Sequence, residues 1–269
     1  MWSVWSKRVD IYLGRSVALV RLQGRPTMVI EHPSTWPLQR VLERIATAWQ
    51  STLEGDVAPN SKAKPKFGRA NFQLHIALGS GRCESRTFVV PQGVHKYAEL
   101  HSLALASAVQ SGDRDATVCA IDPLNPGVMC SIGTRFFQDM NSWATSQTAS
   151  VATLQPLWSI ATQCALARRK NVAALALSEP DGITLLVGAA NGAAASTSAN
   201  LTTLRQDSYE EQVPGQTILM DKQLQLQLQR WKIANELQDD NVVSLVFGSA
   251  LTSKSRSLPK TWGGHWSRA

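Results

Sequence analysis

The residues of this chain that could meet a charged ligand are few and scattered. Gly14 follows the apolar run Val9–Leu13 and precedes Arg15 and Ser16. A glycine there can present backbone amides to a phosphate, or it can turn a hairpin, and the hairpin is the expectation. Gly248 likewise follows an apolar run, Val242–Phe247. The turn Ser178-Glu179-Pro180-Asp181-Gly182 carries two acids, but an adjacent Asp-Gly pair is what turn chemistry alone asks for. His75, His95 and His101 lack an evident serine or cysteine partner and read as structural or surface residues. The chain contains no Gly-x-Ser-x-Gly elbow, Walker loop or His-Glu-x-x-His motif. The histidines show no zinc-ligand spacing, and Cys83, Cys119, Cys130 and Cys164 form no Cys-x-x-Cys pair.

The elements that must position these residues follow from apolar periodicity. Val9–Leu13, Val17–Leu22 and Thr27–Glu31 are three short strands joined by tight turns, a β-meander. Leu38, Val41, Leu42, Ile45 and Trp49 recur at helical spacing, with Ser34 or Thr35 as cap and Pro37 in the first turn. Residues 55–68 read as a loop, with a basic cluster of Lys62, Lys64, Lys66 and Arg69. Phe72–Leu78 is a strand, with Thr87–Val90 expected as its hairpin partner across Gly79-Ser80-Gly81. Helices are predicted at Tyr97–Val109, from Phe136 and at Leu157–Ala167, and strands at Ala116–Ile121, Val128–Ile132 and Val151–Leu154. A second meander starts with Val172–Leu177 and Ile183–Val187, with another tight turn at Asn191-Gly192. Residues 189–199 read as an edge strand or loop, 223–237 as a helix, and 251–269 as a basic tail.

Composition bounds the class. With 43% hydrophobic and 17% charged residues, 269 residues suffice for one large domain or two modest ones and exclude disorder. The net charge of +7 is too small to choose among acidic partners, lipid and nucleic acid. A nucleic-acid role would rest on that charge and the Lys62–Arg69 cluster alone, without a recognition helix or stacking motif, and is not expected. No run reaches the roughly 20 apolar residues of a membrane span, and Met1–Arg8 lacks the apolar stretch of a secretory signal. With the scattered cysteines, this leads to the expectation of reduced thiols in a cytoplasm. Trp2, Trp5, Trp262 and Trp266 near the termini are expected to dock on the protein's own surface or on a partner or membrane interface.

Two meanders, each followed by helices, resemble the repeated unit of the actin-like superfamily. Several segments carry a closer likeness to its PilM-like and GspL-cytoplasmic-domain-like branch. Ile11-Tyr12-Leu13-Gly14-Arg15-Ser16 before Val17-Ala18-Leu19-Val20 resembles the first phosphate loop, and Val151–Leu157 the segment leaving the inserted subdomain. Ala174–Val187 resembles the meander opening the second lobe, and Leu245-Val246-Phe247-Gly248-Ser249-Ala250 the adenosine strand.

The resemblance implies an α/β, two-lobed actin-like (ribonuclease H-like) fold. Its first lobe would span 7–165, with a small inserted α/β subdomain at about 84–156, and its second 166–250. It further implies a cytoplasmic scaffold of a type IV pilus or type II secretion-like assembly. Such a scaffold would bind a short cytoplasmic segment of an inner-membrane protein and stay peripheral to that membrane. Homo-oligomers are compatible with this reading.

The departures concern the nucleotide site. In the family, an Asp two residues before the loop glycine organises a hydrated metal ion; here that position is Tyr12, which offers magnesium no carboxylate. Asp10 lies on the same strand face, roughly 6–7 Å back. It is either a displaced ligand or a plain carboxylate at the start of a strand, the latter being expected. Glu179 is a second candidate for the missing acid, and it too is expected to be a plain residue of its turn. The expectation is therefore a protein that is not an enzyme, without cofactor or metal. Gly14, Arg15, Ser16 and Gly248 would be remnants of a nucleotide cleft in which residual ATP binding stays open.

Overall fold

A computed structural model of the chain describes residues 7–22, 27–54, 72–94, 96–122, 125–166, 174–179, 182–188, 201–208 and 242–247, with 226, 229, 230, 233, 266 and 267. The readings made of 55–68 and 189–199, of the Asn191-Gly192 turn, of Trp2, Trp5 and Trp262, and of Gly248 fall outside these residues.

Strict alternation in the first strand organises everything that follows. β1 (Lys7–Leu13) pairs antiparallel with β2 (Val17–Leu22), which pairs antiparallel with β3 (Met28–Glu31). On its other side β1 pairs in parallel with β4 (Phe72–Leu78), and β4 with β8 (Ala149–Pro156), so the sheet order is β3-β2-β1-β4-β8. Val9, Ile11 and Leu13 fall on one face with Leu74, Ile76 and Leu78. That face is covered by α1 (Leu38–Glu54) and α3 (Thr134–Ser146), through Val41, Leu42, Ile45, Trp49, Met140 and Ala144. Trp49 stands edge-on to Phe72 with ring centroids 4.9 Å apart, the arrangement an aromatic quadrupole favours.

A second sheet repeats the plan. β9 (Ala174–Glu179) pairs antiparallel with β10 (Gly182–Gly188), β10 with β11 (Leu201–Ser208), and β9 in parallel with β12 (Val242–Phe247). The order β11-β10-β9-β12-β13 matches the first sheet position for position, except that β13 (Trp266–Ser267) runs antiparallel to its neighbour where β8 runs parallel. The backbone of Trp266 thus docks on the second sheet. Residues 226, 229, 230 and 233 are helical, the state expected of 223–237.

Between β4 and α3, within the run of the first sheet, the chain inserts a small α/β unit. β5 (Glu84–Thr87), β7 (Asn125–Gly133) and β6 (Ala116–Asp122) form a three-stranded antiparallel sheet. α2 (Tyr97–Gln110) packs Leu100, Ala104 and Ala108 against Val118, Ile121 and Met129 of that sheet. α4 (Leu157–Leu166) then leads into the second sheet.

Two expectations change. The strand after Gly79-Ser80-Gly81 is Glu84–Thr87, not Thr87–Val90, and it pairs with β7, not β4. The parallel flanking of β4 by β1 and β8 leaves no free edge for a hairpin partner. The separate sheet also ends at Gly133; α3 packs in the first core and β8 is a strand of the first sheet, so the insertion is shorter than 84–156.

Thr148 closes α3 with φ at 55°. This left-handed geometry crowds a β-branched side chain and is where glycine usually ends a helix. Thr148→Gly is expected to raise stability by about 1 kcal/mol, measured as a shift of the urea midpoint at unchanged slope.

Candidate functional site

The ends of β1 and β9, the first strands of the two sheets, come together. On β9 alternation puts Leu175, Leu177 and Glu179 on one face, and all three are buried. The far side of β1 presents Tyr12, fully buried, beside Leu19 and Ala77. These residues share a single apolar cluster with Leu157, Trp158 and Ala161 of α4, with Leu186 of β10, and with Ala120, Val128 and Cys130 of the insertion. The Trp158 indole N–H also donates to the Ser85 hydroxyl at 2.8 Å, tying α4 to β5.

Glu179 is a charged group at this junction and is 2% exposed. A buried carboxylate is tolerated only where donors replace its water. Here Oε2 accepts the Tyr12 hydroxyl at 3.2 Å and the Ser80 backbone N–H at 2.9 Å. Oε1 accepts the buried Thr184 hydroxyl at 3.4 Å. Tyr12 and Ser80 belong to the first lobe, and Thr184 to the second lobe's own hairpin.

The approach is close enough to require glycine at one position. A Cβ on Gly79 would lie 2.5 Å from the Tyr12 oxygen and 3.0 Å from Glu179 Oε2. Gly79 N–H donates to Leu13 C=O at 2.8 Å, so β1 and the loop after β4 are stitched together at the same point.

Gly14 turns the β1–β2 hairpin. Its N–H donates to Val17 C=O at 2.8 Å, and its carbonyl accepts Arg82 Nε at 2.8 Å. The Arg15 carbonyl accepts a second nitrogen of Arg82, at 3.3 Å, and the Ser16 carbonyl accepts the His32 N–H at 2.9 Å. A polar cavity of about 510 Å³ opens beside this hairpin, lined among the described residues by Arg15, Ser80–Ser85, Asp113 and Ser131–Gly133.

Asp10 does not reach the junction. It is 3% exposed and held by Arg8 Nε at 2.7 Å and Arg21 Nη2 at 3.1 Å. Across the parallel ladder it faces His75, whose imidazole lies 3.0 Å from the Thr153 hydroxyl. Burial, then the Arg8 charge, lowers the His75 pKa against a smaller opposing effect of Asp10.

No family model matches the chain, and no curated protein matches it. Among solved structures it is similar to a Bacteroides thetaiotaomicron protein with an actin-like ATPase fold and unknown function. That likeness covers 93% of this chain and 86% of that one, at 11% identity and a TM-score of 0.53. It is also similar to the cytoplasmic domain of EpsL, an inner-membrane component of the Vibrio cholerae type II secretion system (95% and 87% covered, 11% identity, TM-score 0.45). A third likeness is to the PilM–PilN type IV pilus biogenesis complex (74% and 60% covered, 9% identity, TM-score 0.47). The fold assignment rests on the first of these. Taken with the duplicated sheet order, it makes this chain an α/β protein of the actin-like ATPase fold.

That fold implies a nucleotide with magnesium between the lobes, and the described residues fit the metal poorly. Magnesium takes hard oxygen ligands in near-octahedral array. The position expected to supply a carboxylate is a phenol donating to Glu179, and Asp10 is enclosed by two guanidinium groups. Among the described residues no group of three His, Cys, Asp or Glu could hold a metal. Sequence reasoning missed Ser80 and Gly79, which it took for turn residues, and underweighted Glu179. The signal for Glu179 was its phase: a charge on the same face as Leu175 and Leu177.

Gly79→Ala is expected to destabilise the protein by about 1–3 kcal/mol. Tyr12→Phe in that background, by removing the clashing oxygen, should recover part of the loss in urea unfolding. His75 gives a pH dependence. Its folded pKa lies below the ordinary 6.5, so on acidification the unfolded chain takes up a proton first and stability falls below that pH until folded His75 protonates. Between about pH 7 and about pH 5.5, Tm should fall, and His75→Gln should fall less. Equal slopes would contradict this assignment.

Proposed function

We propose that this protein is a non-catalytic scaffold of an inner-membrane assembly of the type IV pilus or type II secretion kind. It would be cytoplasmic, held at the membrane through a short cytoplasmic segment of a membrane-protein partner, and without cofactor. The observation that carries the non-catalytic reading is Tyr12 at the metal-organising position, its hydroxyl hydrogen-bonded to Glu179 at 3.2 Å. Phosphoryl transfer rests on positioning plus electrostatic stabilisation by metal and nearby charge. Loss of a single such contact costs on the order of 100-fold in rate. Here the first-loop carboxylate is absent, and Glu179 of the opposite lobe is held by internal donors.

The assembly and the partner are proposed from the sequence resemblance over Ile11–Val20, Val151–Leu157 and Ala174–Val187. Among the described residues no helix is long and apolar enough to cross a membrane. A membrane address in this proposal is therefore supplied by the partner. Loss of the chain from the membrane fraction when that partner is deleted supports the reading; unchanged cytosolic fractionation in cells making the complete machine counts against it.

Calorimetry with ATP and magnesium beside a phosphate-release assay tests the absence of catalysis. The expected result is no appreciable turnover. Tight binding with turnover abolished by Asp10→Asn or Glu179→Gln would overturn the scaffold reading and make this a working actin-like ATPase.

A further inference from the structure

The geometry points to an internal clamp: the Tyr12–Glu179–Ser80 contact holds the two lobes together without any nucleotide. Where a ligand bridges two lobes, each lobe presents donors to the ligand and closure depends on its presence. In this chain the donors of one lobe are presented to an acceptor of the other. Tyr12 Oη and the Ser80 N–H reach Glu179 Oε2 at 3.2 and 2.9 Å, and Glu179 is 2% exposed.

Two further observations make the contact a fixture. The apolar cluster around Tyr12 runs without a break from Leu19 and Ala77, through Trp158, into Leu175, Leu177 and Leu186. Opening the lobes would put all of that surface in water together with a carboxylate stripped of its donors. In addition, Gly79 is packed so tightly against Tyr12 and Glu179 that no Cβ fits there. The Glu179 part of that packing is made across the lobes. The clamp is independent of which assembly the protein serves, and it fixes the relative placement of the lobes as one rigid body.

Ser80 provides a direct readout. Its amide lies in the loop between β4 and β5, outside the sheet ladders, and donates across the lobes to Glu179. Its protection from hydrogen exchange therefore reports lobe closure. In the ligand-free full chain, the Ser80 amide is expected to exchange as slowly as the amides of β4. Magnesium-ATP should leave that rate unchanged. Glu179→Ala should speed it by about 100-fold or more, and Tyr12→Phe, which keeps the ring and deletes one donor, by a smaller factor. Tyr12→Phe keeps the test usable if Glu179→Ala does not fold. Ser80 exchanging in the ligand-free wild type at the rate of the open loop at Gly93 would overturn the clamp, as would protection acquired only with magnesium-ATP. Catalytic turnover with Ser80 protected throughout would instead sink the scaffold reading and leave the clamp standing.

Discussion

A carboxylate buried between two lobes is the constraint on which this structure turns. Glu179 ends a strand whose inward positions are otherwise leucine, and it lies under enough protein to be cut off from solvent. Such a group destabilises the fold unless every lone pair it loses to water is met by a donor. The donors come from both lobes: a tyrosine hydroxyl at the end of β1, a loop amide after β4 and a threonine on β10. Placing them within reach fixes the register of β1 against β4, demands glycine at 79 and sets the approach of β9 to β1.

Much of this plan was written in periodicity. Strands β1, β2, β4 and β12 stand close to where alternation put them, and the apolar stripe of α1 covers the first sheet through the residues that define it. The placing of Asp10 and Tyr12 on one strand face also follows directly from a period of two. That face divides into two surroundings a few ångströms apart. Asp10 meets guanidinium groups near the sheet's start, and Tyr12 enters the interlobe core. Strand phase tells which side a residue faces, and tertiary packing alone decides what waits there.

The misreadings share a cause. Gly79-Ser80-Gly81 has the composition of a hairpin turn, yet its glycines serve close packing: Gly79 against Tyr12 and Glu179, Gly81 against the Arg15 side chain, whose Cβ would lie 2.8 Å from its own. Local turn chemistry cannot distinguish a glycine needed for backbone conformation from one needed for clearance. The mispaired strand after it followed from that, because Glu84–Thr87 finds its partner in β7, more than forty residues on. Glu179 was shadowed in the same way by Pro180-Asp181-Gly182, whose turn signal is strong and local, while the donors that explain a buried acid lie in a distant part of the chain. Thus the long-range polar contact between the lobes was the least legible part of the sequence.

A crystal structure of the protein grown with magnesium and a non-hydrolysable ATP analogue tests this account most directly. Tyr12 Oη is expected to stay within hydrogen-bond distance of Glu179, with no metal ion at either residue. A magnesium ion coordinated by Glu179, with the Tyr12 hydroxyl displaced from it, would contradict the account.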